Sequence, residues 1–172
     1  GMVLGGAGPV VYTVWFRHRS LDDLGIGARH WRETIALGLV LGAVQAGMMF
    51  WNYTFPAAAT WAPLLALSLA VGLFEAIFFR GFILTRLEAS FGLVPGVLLA
   101  AALYAAYHIG YGMNVGEMGF LFGLGVTYAI AFRVTGNLLA IWPLLIPLGS
   151  FFNRLQATDM AALPWASILG FA

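Results

Sequence analysis

The chain has 172 residues, 62% hydrophobic and 9% charged, with no cysteine, a formal net charge of +1 and a mean hydropathy of +0.91. Soluble domains carry about 25% charged and 45–50% apolar residues, and a globule this small cannot hide so much apolar surface, which excludes a cytosolic enzyme, a nucleic-acid binder and a disordered linker. The absence of cysteine removes disulfides, thiolate zinc sites and thiol nucleophiles, so the expected fold class is all-α: one transmembrane domain over residues 1–172, built as a polytopic bundle of about six helices.

A helix needs about 20 apolar residues to cross the hydrocarbon. The first candidate, residues 2–16, is short. It lacks a basic n-region and a small-residue cleavage site ahead of a soluble domain, so it does not read as a signal peptide. The opening Gly1-Met2 reads as a trimmed terminus. Further segments are expected over residues 34–51, from 60 through 73, and over 94–109, 117–132 and 138–152, with a cut-short seventh after Arg154. Arg17, Arg19, Arg29 and Arg32 follow the first segment, Arg80 and Arg86 the third, and Arg133 the fifth. By the positive-inside rule those ends face the cytoplasm and the N-terminus lies outside. Trp51, Tyr53 and Trp61 flank an uncharged turn, as interfacial aromatics do. Gly38-x-x-x-Gly42 and Gly119-x-x-x-Gly123 predict close helix contacts.

Glu75, Arg80, His108 and Glu117 stand in or beside these apolar runs. A charged group at mid-membrane costs roughly 2.5–3.5 kcal/mol even on a lenient scale, so each needs a partner or a cavity. If the third helix ended at Arg80, Glu75 would lie about 8 Å from the cytoplasmic end and His108 about 22 Å, at 1.5 Å per residue, and the two could not meet. The apolar run Phe82-Ile83-Leu84 predicts instead a helix continuing to about Glu88, closed by Gly92 and Pro95. Glu75 then sits about 20 Å deep, level with His108, and Arg80 is intramembrane. In an α-helix Arg80 is about 140° round from Glu75, whereas Tyr104 and His108 share a face. Glu75 and His108 make a plausible general-base pair for water, with Arg80 as a nearby cation; a structural polar cluster between helices is the competing interpretation. Glu117 reads as an acid at a helix N-terminus, and His18 and His30 as solvated loop residues.

Other chemistries lack their scaffolds. There is no His-Glu-x-x-His and there are only three histidines, which leaves no zincin or three-histidine zinc site. One His and one Glu are too few for a closed zinc site, so no metal and no cofactor is expected. The Gly-x-Ser-Gly of rhomboid-like proteases, the Gly-x-Gly-Asp of presenilin-like proteases and a phosphate-cradling glycine loop are all absent.

Glu75-Ala76-Ile77-Phe78-Phe79-Arg80-Gly81 resembles the Glu-Glu-x-x-x-Arg motif of the CPBP family, the CAAX-protease and bacteriocin-processing (Abi) intramembrane proteases. Tyr104-Ala105-Ala106-Tyr107-His108 resembles its Phe-x-x-x-His motif. Phe120-Leu121-Phe122-Gly123 through Arg133-Val134-Thr135-Gly136-Asn137-Leu138 resembles the helix and turn that follow. The resemblance covers about residues 73–153. It implies that Glu75 and His108 activate a water, that Arg80 orders the site, and that a third motif, His-x-x-x-Asn or Asp, holds the oxyanion. The chain departs from the pattern with Ala76 at the second Glu, and with Pro147 and Phe151 where the third motif is expected. Asn153, in a helix re-registered by Pro147, or the Tyr104 hydroxyl is the expected substitute.

Two functions follow from the resemblance. One is an intramembrane endopeptidase cleaving a membrane-associated peptide or lipidated protein; the other is a catalytically impaired member acting as a membrane accessory or immunity subunit, with an accessory membrane partner. A transporter using the cluster as a proton relay is a third reading, but the internal symmetry that would favour it is not seen. The implied location is a prokaryotic inner or plasma membrane, with the lipid bilayer as partner and no nucleic acid.

Overall fold

In hydrocarbon the backbone must satisfy its own hydrogen bonds, and the apolar runs accordingly fold as helices. The computed structural model of the chain describes residues 2–27, 30–158 and 160–162. Helix α1 (Met2–Val11) continues as a π-helical turn (Tyr12–Phe16), and a 3-10 turn (Leu21–Leu24) leads to α2 (Trp31–Phe50). Next come α3 (Ala58–Glu75), a π-helical segment (Ala76–Leu84) and α4 (Thr85–Phe91). Then follow α5 (Leu93–Tyr107) with a 3-10 turn (His108–Tyr111), α6 (Val115–Thr135), a 3-10 turn (Leu138–Ala140) and α7 (Leu145–Gln156). Strands β1 (Tyr53–Thr54) and β2 (Ala161–Ala162) pair antiparallel over two residues. The fold is the all-α bundle expected, with six helical bodies among the described residues when α3, the π segment and α4 are taken as one rod.

Four of these bodies are long and apolar enough to cross a membrane: Trp31–Phe50, Ala58–Phe91, Leu93–Tyr111 and Val115–Thr135. The 34-residue rod confirms the longer third helix predicted from Phe82-Ile83-Leu84. Gly92, at φ +85°, ends it, and Pro95 falls in the first turn of α5, where a missing N–H breaks no helical bond. The segment predicted over 138–152 is instead divided. Pro143 lies within the break, and α7 starts only at Leu145, leaving a 12-residue helix too short to span. The seventh segment proposed for the tail lies outside the described residues. Glu117 is where its chemistry placed it: its carboxylate accepts from the Asn114 N–H at 2.7 Å and the Asn114 side chain accepts from the Glu117 N–H at 3.0 Å, a capping box that opens α6. His18 and His30 are exposed.

The core forms around the π segment, where Ala76, Ile77 and Leu84 pack with Ala100, Phe132 and Ile141. The lipid-facing sides keep large apolar groups such as Val40, Met48 and Val134 exposed. Small residues set the closest approaches. A Cβ on Gly38 would meet the Leu139 carbonyl at 2.8 Å, one on Gly42 the Leu144 side chain, and one on Gly72 the ring of Pro147. The first glycine pair is therefore a packing seam, as predicted. Gly119 and Gly123 face nothing within 4 Å, so the second pair makes no such contact among the described residues. Gly81 makes the closest approach to a backbone atom among the glycines of the described residues: its Cβ would stand 2.5 Å from the Leu24 backbone oxygen. A backbone oxygen cannot rotate away, so Gly81→Ala is expected to destabilise the fold by about 1–3 kcal/mol, as overpacking does; thermal unfolding in detergent measures it.

Candidate active site

The rod that carries Glu75 changes hydrogen-bonding register immediately after it. From Ala76 to Leu84 the bonds run i→i+5. In an α-helix a residue five positions on points about 140° away; an i→i+5 turn brings it back over the starting face. Glu75 and Arg80 are thereby turned toward the same neighbour, Tyr104 of α5. Both are buried, with 6% and 2% of their surface exposed.

Tyr104 holds the cluster together. Its hydroxyl donates to Glu75 Oε2 at 3.3 Å. The Arg80 guanidinium carbon lies 4.2 Å from its ring centroid. Its backbone carbonyl, freed at the end of α5, accepts from His108 Nδ1 at 2.8 Å. A carbonyl can only accept, so Nδ1 carries the proton of the neutral imidazole and Nε2 is left with its lone pair. The imidazole is further fixed between rings, with centroids 4.9 Å from Tyr104 and 5.1 Å from Tyr107. Phe79 closes the other side of Tyr104 at 5.3 Å. The acid and the imidazole, on different helices and 33 positions apart, are thus anchored to the two ends of one residue. The four sites Glu75, Arg80, Tyr104 and His108 form one buried cluster.

Arg80 is the anomaly in it. Nη1 and Nη2 are buried and have no hydrogen-bond partner, and among the described residues no carboxylate lies within salt-bridge distance. The cation is held by rings instead: Tyr104 at 4.2 Å, Tyr128 at 5.3 Å and Phe79 at 5.9 Å. Tyr128 in turn donates to the Leu145 carbonyl at 3.3 Å, which Gln45 of α2 also reaches at 3.2 Å. Tyr128 and Gln45 extend the polar region to α6 and α2. Neither stands out in the sequence, since each is one moderately polar residue within the apolar stretch of its helix; Gln45, fifteenth in a 20-residue span, is the available signal.

Asn153 does not join the cluster. Pro147 sits in the first turn of α7, where its missing N–H breaks no bond, so the re-registering expected of it does not occur and Asn153 remains exposed. Helix α7 runs back along α3: Pro147 lies against Gly72, and Phe151 against Trp61 with centroids 6.3 Å apart. Asn153 is therefore near the start of α3, on the order of 20 Å along that helix from Glu75 at 1.5 Å per residue. The Tyr104 hydroxyl has one proton and gives it to Glu75. Arg80 is the group in the cluster with donors to spare. Among the described residues no three of His, Asp and Glu gather into a metal-ligating group.

A family model described as type II CAAX prenyl endopeptidase, Rce1-like, matches residues 56–144. The matched stretch is just over half of the chain and contains Glu75, Arg80, Tyr104 and His108 but not Asn153. No curated protein and no solved structure matches the chain.

Proposed function

The chain belongs to the Rce1-like family of type II CAAX prenyl endopeptidases, and on that premise we propose that it is an intramembrane endopeptidase in which Glu75 and His108 activate a water to cleave a lipidated or otherwise membrane-associated peptide. The family makes it an integral membrane protein of the protease class, and four apolar helices agree with that. The observation that supports the finer reading is the bridging role of Tyr104, which fixes both the carboxylate and the imidazole. Water gives a proton to this pair while its oxygen adds to the scissile carbonyl. The same proton then goes to the departing amine nitrogen as the C–N bond breaks. The Arg80 Nη groups, unpartnered and pre-ordered by three rings, stabilise the oxyanion in place of the missing third motif. The host is a prokaryotic plasma membrane.

The test is turnover. The protein, reconstituted in nanodiscs, is incubated with a quenched fluorescent farnesylated CAAX peptide, and the products are read by mass spectrometry. One internal cut, incorporating one oxygen from labelled water in the new carboxylate, is expected. No cut by folded protein, with the peptide or a membrane protein retained on it, overturns the peptidase reading and leaves the accessory one. Tyr104→Phe refines the assignment. It keeps the ring under Arg80 and removes the proton given to Glu75, so turnover is expected to fall about 10–100-fold, in line with one hydrogen bond to a charged group of roughly 1.5–3 kcal/mol. An unchanged rate would remove Tyr104 from the positioning role.

A further inference from the structure

A second polar concavity lies away from the cluster, between the end of α1 and α4. It has a volume of about 500 Å³ and is lined by Thr13, Arg17, Arg19, Asp23, Thr85 and Arg86, among others. Its charge is unbalanced. Asp23 pairs with Arg19 at 4.0 Å, but Arg17 and Arg86 have no acidic partner among the described residues. Arg86 is also held in place: its guanidinium carbon stacks 4.1 Å from the Phe82 ring centroid and 5.1 Å from that of Tyr12, and Nη1 reaches Thr85 Oγ1 at 3.5 Å. The second observation is Thr13, 2% exposed, whose hydroxyl has no hydrogen-bond partner. A buried hydroxyl left unsatisfied is costly, and Thr13 is one of the residues that wall a cavity with two uncompensated cations.

We infer that this cavity is a binding site for a phosphate-bearing anion, and that the anion is the headgroup of an acidic phospholipid. Phosphate chemistry fits because guanidinium forks and a hydroxyl donor are what a phosphodiester accepts from. The lipid source fits the location. The cavity sits at the basic end of α1 and of the rod, the side the positive-inside rule assigns to the cytoplasm, and Trp15 and Phe16 beside it are 74% and 73% exposed, as interfacial anchors are. Basic pockets between helices on that side recognise acidic headgroups. This site stands on its own residues and does not depend on the peptidase reading.

The experiment uses the full chain in nanodiscs of phosphatidylcholine alone or with 30% phosphatidylglycerol, with native mass spectrometry and thermal unfolding as readouts. One retained phosphatidylglycerol per chain and a midpoint several degrees higher than in phosphatidylcholine are expected. Arg17→Gln, at the exposed rim, and Arg86→Gln are each expected to lower retention about 5–10-fold, and Thr13→Val about 3-fold, with midpoints in phosphatidylcholine unchanged. Arg32→Gln, which removes an equal charge from the first turn of α2, is expected to leave retention intact. Equal losses in Arg32→Gln and Arg86→Gln would mean bulk surface charge and overturn the site, as would retention indifferent to all three cavity substitutions. Stabilisation in detergent by 10 mM inorganic phosphate, abolished in Arg86→Gln and not exceeded by phosphatidylglycerol, would overturn the lipid source and assign the cavity to a soluble phosphate.

Discussion

Glu75→Gln and His108→Ala are each expected to lower peptide hydrolysis by about 10²–10⁴-fold, the range of a lost general base, without loss of the folded protein. Glutamine keeps the shape of the side chain and an oxygen for the Tyr104 hydroxyl to donate to, so the helix contacts survive. What it cannot do is take a proton. In His108→Ala the Nδ1 bond to the Tyr104 carbonyl goes with the ring, but that carbonyl ends a helix, and a water can replace the donor. The two losses are expected not to add. Groups that act on one water fail together, so the double variant is expected within a few-fold of the worse single one. Kinetics on the farnesylated peptide, with circular dichroism and unfolding midpoints as controls, measure all three. Parent-like rates in both single variants would end the catalytic assignment. Additive losses would mean that the two residues serve separate steps.

The acid and the imidazole were visible in the sequence because intramembrane charge is expensive and an apolar run fixed the length of the helix. Phe82, Ile83 and Leu84 extend the rod beyond Arg80, and Glu75 meets the hydroxyl of Tyr104, one helical turn before His108. The turn of Arg80 toward Tyr104 was not visible. An i→i+5 register changes which residues share a face but leaves no mark in composition, so Ala76 to Leu84 reads as ordinary α-helix until its hydrogen bonds are known. Asn153 shows the opposite error. Spacing from Pro147 falls on Phe151, and Asn153 enters only as the nearest amide of a re-registered helix; that expectation depends on the helix start, and α7 begins at Leu145. With that start, Pro147 belongs to the first turn and perturbs nothing downstream. Tyr128 and Gln45 acquire meaning only across helix contacts, through a carbonyl of Leu145 that no local pattern singles out.

Arg80→Met separates a binding-energy role from a packing role, because the two predict opposite signs for stability. A buried cation with no carboxylate within salt-bridge distance costs several kcal/mol after relaxation, and stacking on Tyr104 and Tyr128 returns about 2 kcal/mol. Methionine nearly fills the same space, still packs on the rings and carries no charge. The variant is therefore expected to unfold at the parent midpoint or above it, while turnover falls about 10²–10³-fold, the usual cost of removing one oxyanion donor. The loss is expected in kcat with KM little changed, since the developing charge exists only in the transition state. Arg80→Lys restores the charge but not the planar fork with its five donors, so partial recovery, about 10-fold above Met, is expected. A midpoint well below the parent in Arg80→Met, with kcat preserved in the protein that remains folded, would make Arg80 a structural post between α5 and α6. The chain would then have to stabilise its oxyanion without a charged donor.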